Sequence, residues 1–152
     1  MTKLAPIVLF VYNRPNHTKR TIEALQKNEL AEQSELFIYC DNAKNENSHK
    51  SVDEVRTYID SIDGFKNITI IRREKNWGLA NSIIDGVTNI INEYGKIIVI
   101  EDDLVTAPYF LNFMNESKCP VPREQQPTNE FIELSKSKLF SWPKTKKSLI
   151  LI

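Results

Sequence analysis

The chain has 152 residues, 41% of them apolar, with 20 Lys and Arg balancing 20 Asp and Glu. That length allows one compact core. The neutral balance lacks the basic footprint that nucleic-acid binding uses, so no nucleic-acid partner is expected.

In chain order, Ile7 to Tyr12 is a continuous apolar, β-rich run that stops at Asn13-Arg14-Pro15. Such a strand is covered on both faces, as in a parallel sheet. A helix is predicted over Thr18–Leu30, with Ile22 and Leu25 inward and Asn16 as its N-cap. Glu35 to Cys40 reads as a second buried strand ending at Asp41-Asn42, and 42–47 as polar loop. Val52, Val55, Tyr58, Ile59 and Ile62 have helical spacing, which predicts a helix over Ser51–Ser61 with Gly64 as a stop. Ile68 to Ile71 is a third strand. Leu79, Ile83, Ile84, Val87, Ile90 and Ile91 stripe a long helix that Gly95 ends. Lys96 to Ile100 is a fourth strand running into Glu101-Asp102-Asp103, and Thr106-Ala107-Pro108 opens a helix that continues through Tyr109 to Asn115.

The alternation of strands and helices predicts an α/β fold, a doubly wound and mostly parallel sheet with helices on both faces. Ligands in such sheets bind at the carboxyl ends of the strands. Those ends are Asn13-Arg14, Asp41-Asn42, Arg72-Arg73 and Glu101-Asp102-Asp103, so polar groups converge on one edge.

Residues 118–152 differ. They carry 7 basic and 3 acidic side chains, a net +4, against 13 and 17, a net −4, in residues 1–117. They also hold four of the seven prolines and no glycine. Two units are expected: 1–117 as an α/β binding domain and 118–152 as a divergent basic, Pro-rich tail. Within that tail, Phe131, Ile132 and Leu134 suggest a short helix, and Ser148–Ile152 a strand.

Cys40 and Cys119 lack metal-ligand spacing, which disfavours a disulfide framework and fits a reducing compartment. No signal-peptide pattern opens the chain, and no apolar run approaches the roughly 20 residues of a membrane helix. A cytoplasmic location is expected.

Three successive carboxylates after a buried strand repel one another unless a cation joins them. Hard oxygen ligands of this kind suit Mg²⁺ or Mn²⁺, which bind one or two carboxylates and phosphate oxygens. A solvated acidic loop capping the next helix explains the triplet equally well. Alternation in an extended segment sends Glu101 and Asp103 one way and Asp102 the other. Asp41 suits a base or ribose, or an Asx turn beside Asn42. Arg14 suits a base or phosphate, or a surface position before Pro15. Arg72 and Arg73 suit phosphate, or solvent. Asn76-Trp77-Gly78 suits a ligand-approach turn, or a plain helix entry. His17 and His49 have no partner in sequence. GxGxxG and GxxxxGK[ST] are both missing, which argues against a dinucleotide-binding Rossmann domain and a P-loop NTPase.

Taken together, Pro6 to Arg14, Ile38 to Asp41, Asn76 to Asn81 and Ile98 to Leu104, followed by Ala107 to Phe110, resemble GT-A glycosyltransferases. The likeness is greatest to the N-acetylglucosaminyltransferase I-like group and its bacterial, family 2-like relatives. It covers residues 6 to about 116. The resemblance implies transfer of a sugar from a nucleotide-diphospho-sugar, UDP-linked, to a saccharide or glycan acceptor with Mn²⁺ or Mg²⁺. It implies Asp103, with Asp102, as metal ligand, and Glu101 and Asp102 as contacts to donor sugar and ribose. Arg14 and Asp41 become partners of the base, with Tyr12 on the same strand end, and Asn76, Gly78 and Asn81 line the donor pocket. Residues 118–152 match no acceptor half and offer no catalytic base, so a chain truncated or frameshifted after its donor half is expected. The alternative is a non-catalytic nucleotide-sugar-binding fragment. A nucleotidylyltransferase is disfavoured because Asn13-Arg14-Pro15 has no glycine.

Overall fold

A computed structural model describes residues 3–116 and 148–151. Five strands, β1 (Ile7–Val11), β2 (Glu35–Cys40), β3 (Asn67–Arg72), β4 (Lys96–Glu101) and β5 (Ser148–Leu151), form one sheet in the order β3-β2-β1-β4-β5. Every pairing is parallel. Among the described residues there are four α-helices: α1 (Pro15–Gln26), α2 (Glu46–Ile59), α3 (Leu79–Tyr94) and α4 (Phe110–Glu116).

The sheet has the sandwiched placement that the apolar runs predict. All of β1 is buried, as are Ile97 to Ile100 of β4. Alternate side chains feed two cores. Ile7, Leu9, Val11, Leu36 and Ile38 meet Ile22 and Leu25 of α1, Val55 and Ile59 of α2, and Leu111 and Met114 of α4. Val8, Phe10, Tyr39, Ile97 and Val99 meet Val87, Ile90 and Ile91 of α3. Each such side chain taken fully out of water contributes about 1.5–3 kcal/mol. β3 is an edge strand of alternating exposure.

The strand order sets the site. From β1 the chain winds outward through β2 to β3, then crosses back to place β4 on the other side of β1. The direction of winding reverses between β1 and β4, the point where open α/β sheets leave a crevice beyond their strand ends.

Three helix starts differ from the expectation, and α1 ends at Gln26 rather than at Leu30. α1 starts at Pro15, not beyond an Asn16 cap, since proline's fixed φ suits the first helical position. Arg14 stands as N-cap without a side-chain cap bond, its guanidinium being engaged elsewhere. α2 begins at Glu46 because Asn45 and Ser48 form a capping box, a start signal lying in the stretch read as polar loop. α4 begins at Phe110, two residues past Pro108. The terminal strand expected near Ser148 is present as β5, paired to β4 from Lys96↔Ser148 to Val99↔Leu151. The short helix expected around Phe131 lies outside the described residues.

Candidate functional site

A cleft of about 280 Å³ opens where β1, β2 and β4 end. Phe10, Val11, Tyr12 and Arg14 come from β1 and the turn after it; Tyr39, Asp41 and Lys44 come from β2 and its loop. Asn76, Gly78, Leu79 and Ser82 come from the entry to α3, and Glu101 and Asp102 from the end of β4. Of the residues singled out in the sequence, Tyr12, Arg14, Asp41, Asn76, Gly78, Glu101 and Asp102 therefore meet at one place. Asn81 and Asp103 do not line the cleft.

Asp41 is buried, and N–H groups occupy both its carboxylate oxygens. Oδ1 accepts from the backbone of Asn42 and of Trp77, both at 2.9 Å. Oδ2 accepts from the Gly78 backbone at 2.8 Å and from Asn76 Nδ2 at 3.2 Å. Asn76 also donates to the Asn42 carbonyl at 2.7 Å, and Asn81 Nδ2 to the Trp77 carbonyl at 2.8 Å. Asp41 and Asn81 thus tie the turn that leads into α3. Gly78 adopts φ +76° and ψ 157°, a conformation that is essentially glycine's own.

Arg73 fastens the same turn from below. Its guanidinium lies 3.9 Å from the Trp77 ring centroid and 5.2 Å from that of Tyr39, and it pairs with Asp85. Its carbonyl accepts from Arg56 at 2.9 Å. Arg72 pairs with Asp60. Arg73 is largely covered and Arg72 is exposed, and neither lines the cleft. Burial, and after it Asp85, pushes the Tyr39 phenol above its ordinary value; Asn89 and Arg73 pull it back.

The β4 corner is built differently. Glu101 is exposed, Asp102 is 4% exposed and Asp103 is exposed again, but the extended run ends at Glu101, so the expected pairing of Glu101 with Asp103 on one side does not form. The chain turns at Asp102, so both Glu101 and Asp102 face the cleft. Arg14 donates to Asp102 Oδ1 at 2.6 Å and to Asp103 Oδ2 at 3.3 Å. Burial pushes the Asp102 carboxyl above the ordinary carboxylate value; Arg14 draws it down and Asp103 raises it again. Among the described residues Glu101 has no ion-pair partner.

The corner is suited to a cation of one kind. One guanidinium already sits between two carboxylates, so the pair can share a positive charge. Among the described residues no cluster of three or more His, Cys, Asp or Glu side chains could enclose an ion. The donor set fits a hard ion that takes one or two carboxylates and fills its shell with phosphate oxygens and water, as Mg²⁺ and Mn²⁺ do. It does not fit an all-protein cage.

The comparison with protein families decides what this edge belongs to. Residues 7–116 match the model described as glycosyl transferase family 2, which spans β1 to the end of α4. The chain belongs to glycosyl transferase family 2. Its general role is glycosyl transfer, which implies a nucleotide-sugar donor and a glycan acceptor. The match is to family 2 as a whole and does not single out an N-acetylglucosaminyltransferase I-like subtype, nor does it favour the binding-only alternative. Residues 119–151 match a different model, described as conserved in the green lineage and diatoms 27. No curated protein matches the chain. Among the described residues, no helix is long and apolar enough to cross a membrane.

Sequence reasoning missed several residues of this family 2 cleft. Lys44 reaches it from a loop with no motif; its backbone N–H donates to the Tyr12 hydroxyl at 3.1 Å. Ser82 lines it with a buried Oγ that finds no hydrogen-bond partner among the described residues. Gly86, in the middle of α3, lies so close to the cleft aromatics that an added Cβ would stand 2.9 Å from Phe10 and 3.0 Å from Tyr39. A glycine inside a strong helical stripe was the available signal. Asn28, outside the cleft lining, is buried just past the end of α1. It donates to the Ala24 carbonyl and to Thr106 Oγ1, and it accepts from the Leu111 backbone.

Proposed function

We propose that the cleft holds a nucleotide-diphospho-sugar, UDP-linked, together with Mn²⁺ or Mg²⁺, and that the sugar passes to an acceptor hydroxyl. The observation that carries this reading is the acidic corner itself, a buried Asp102 and an exposed Asp103 sharing one guanidinium at the β1/β4 reversal. Asp103 is the principal metal ligand, with Asp102 beside it. The cation, when bound, neutralises charge on the departing diphosphate. Glu101 and Asp102 face the donor sugar and ribose. Phe10, Tyr12 and Tyr39 offer the apolar and aromatic wall that a base stacks on. Arg14 carries the fork of N–H donors that suits phosphate. Asn76, Gly78 and Asn81 shape the wall opposite the acidic corner. Asp41, assigned by resemblance to the base, acts in this reading as a positioning residue, because four N–H groups already use its carboxylate. Residues 1–117 form the donor unit, and the basic 118–152 segment follows it, with its β5 paired to β4 of the same sheet.

The test is calorimetry with UDP and Mn²⁺ on the protein and on Asp103→Ala. Metal-dependent UDP binding is expected to vanish in the variant while the melting temperature stays put. Unchanged affinity would remove Asp103 from the site. Release of sugar from a UDP-sugar panel, with and without saccharide acceptors, then tests transfer.

A further inference from the structure

Resting on that reading of the cleft, we infer that Arg14 is a resident counter-ion that keeps the carboxylates of Asp102 and Asp103 from taking a divalent cation until a diphosphate is present. Arg14 uses two different nitrogens on two different carboxylates, Nη2 on Asp102 Oδ1 at 2.6 Å and Nη1 on Asp103 Oδ2 at 3.3 Å. A cation entering between these carboxylates competes for the same oxygens and is repelled by the guanidinium beside them.

The two contacts are unequal. The Asp102 side chain is 5% exposed and the contact is short; the Asp103 side chain is 49% exposed and the contact is long. Removing the partner of a buried carboxylate costs far more than removing that of an exposed one. Asp103 is therefore the contact that yields, and Asp102 the one that holds.

A diphosphate changes the balance in two ways. It supplies the guanidinium with oxygen acceptors of the geometry its fork matches. It also supplies the cation with the oxygens that two carboxylates alone do not provide. Arg14 then exchanges Asp103 for phosphate, and Asp103 becomes free for the cation. Cation and nucleotide bind together, each weakly without the other, and such coupling is reciprocal. Arg14 is a positioning residue here; it acts through Asp103.

The experiment is titration of the full chain with Mn²⁺ alone, with UDP alone, and with Mn²⁺ in the presence of UDP, for the protein, Arg14→Ala and Arg14→Lys. The unaltered protein is expected to bind Mn²⁺ alone weakly and at least tenfold more tightly with UDP. Arg14→Ala is expected to bind Mn²⁺ alone about tenfold more tightly than the unaltered protein, with most of the UDP enhancement lost. Arg14→Lys keeps a cation beside the buried Asp102 but lacks the fork to span both carboxylates, so it falls between and covers the case in which Arg14→Ala does not fold. Equal affinity for Mn²⁺ alone in the unaltered protein and the folded variants overturns the inference and leaves the donor site standing. Absence of Mn²⁺ binding in every form, even with UDP, overturns the inference and the donor-site reading together.

Discussion

The two acidic walls of the cleft look alike in sequence and behave differently in the fold. Asp41 ends β2 and Glu101-Asp102-Asp103 ends β4, so each places carboxylate at the carboxyl edge of a parallel strand. Asp41 turns inward and gives its oxygens to the 76–78 turn. The β4 corner leaves Glu101 and Asp103 facing water and ties Asp102 to a side chain that is itself 45% exposed. One wall spends its charge on architecture and the other leaves charge to offer. An acidic residue at a strand end is thus not yet a ligand; what its oxygens already accept decides.

The sharpest way to break this contrast is Asp41→Ala. It strands the Trp77 and Gly78 N–H groups, and a loss of about 3 kcal/mol is expected in denaturant unfolding. Asp103→Ala, an exposed carboxylate holding one long contact, should stay within about 0.5 kcal/mol of the unaltered protein in the same measurement. Comparable losses for the two would erase the distinction between the walls. Next in size is Gly86→Val, which drives a branched side chain into Phe10 and Tyr39. It should cost about 1–3 kcal/mol by overpacking and weaken UDP binding through the displaced rings, with the Asp103→Ala protein as the control of unchanged stability. Ser82→Ala should shift stability upward by a few tenths to about 1 kcal/mol, since it deletes a buried hydroxyl that has no partner among the described residues; a loss of stability on thermal melting would mean that the hydroxyl is satisfied. The smallest effect lies away from both walls. Tyr94 donates to Glu35 at 2.7 Å, and that bond, with burial, pushes its phenol up to about 12. A raised folded-state pKa means that the folded protein holds the proton longer than the unfolded chain. Its stabilisation is complete below pH 10 and is lost between about 10 and 12. Tyr94→Phe should flatten that alkaline decline, and an unaltered slope in a pH series of melts would detach it from Tyr94.

The elements legible in the sequence were those with strong period or strong punctuation. β1, β2 and β4 announce themselves as unbroken apolar runs, and α3 by a stripe that ends at Gly95 in the left-handed conformation. The parallel arrangement followed from alternation and put Arg14, Asp41, Glu101 and Asp102 at one edge, while Tyr12, Asn76 and Gly78 were brought to that edge only through the family resemblance. What did not follow was which charges cancel. Arg73 reads as a solvated residue after a strand, yet the fold packs it between Tyr39 and Trp77 against Asp85. Those partners are separated from it along the chain, and no local pattern pairs them. Asn28 is illegible for the same reason: its partners Thr106 and Leu111 come from the far side of the sheet sequence.

Asn28 also has a mechanical consequence. Arg14 immediately precedes α1 and Asn28 lies just beyond its end, so one rigid rod, about 18 Å long at 1.5 Å per residue, carries both. At its leading end the rod grips Asp102 and Asp103; at its trailing end it grips Thr106 and Leu111. The segment from the acidic corner to α4 is bracketed by a single strut, and any tilt of that strut moves both anchors at once.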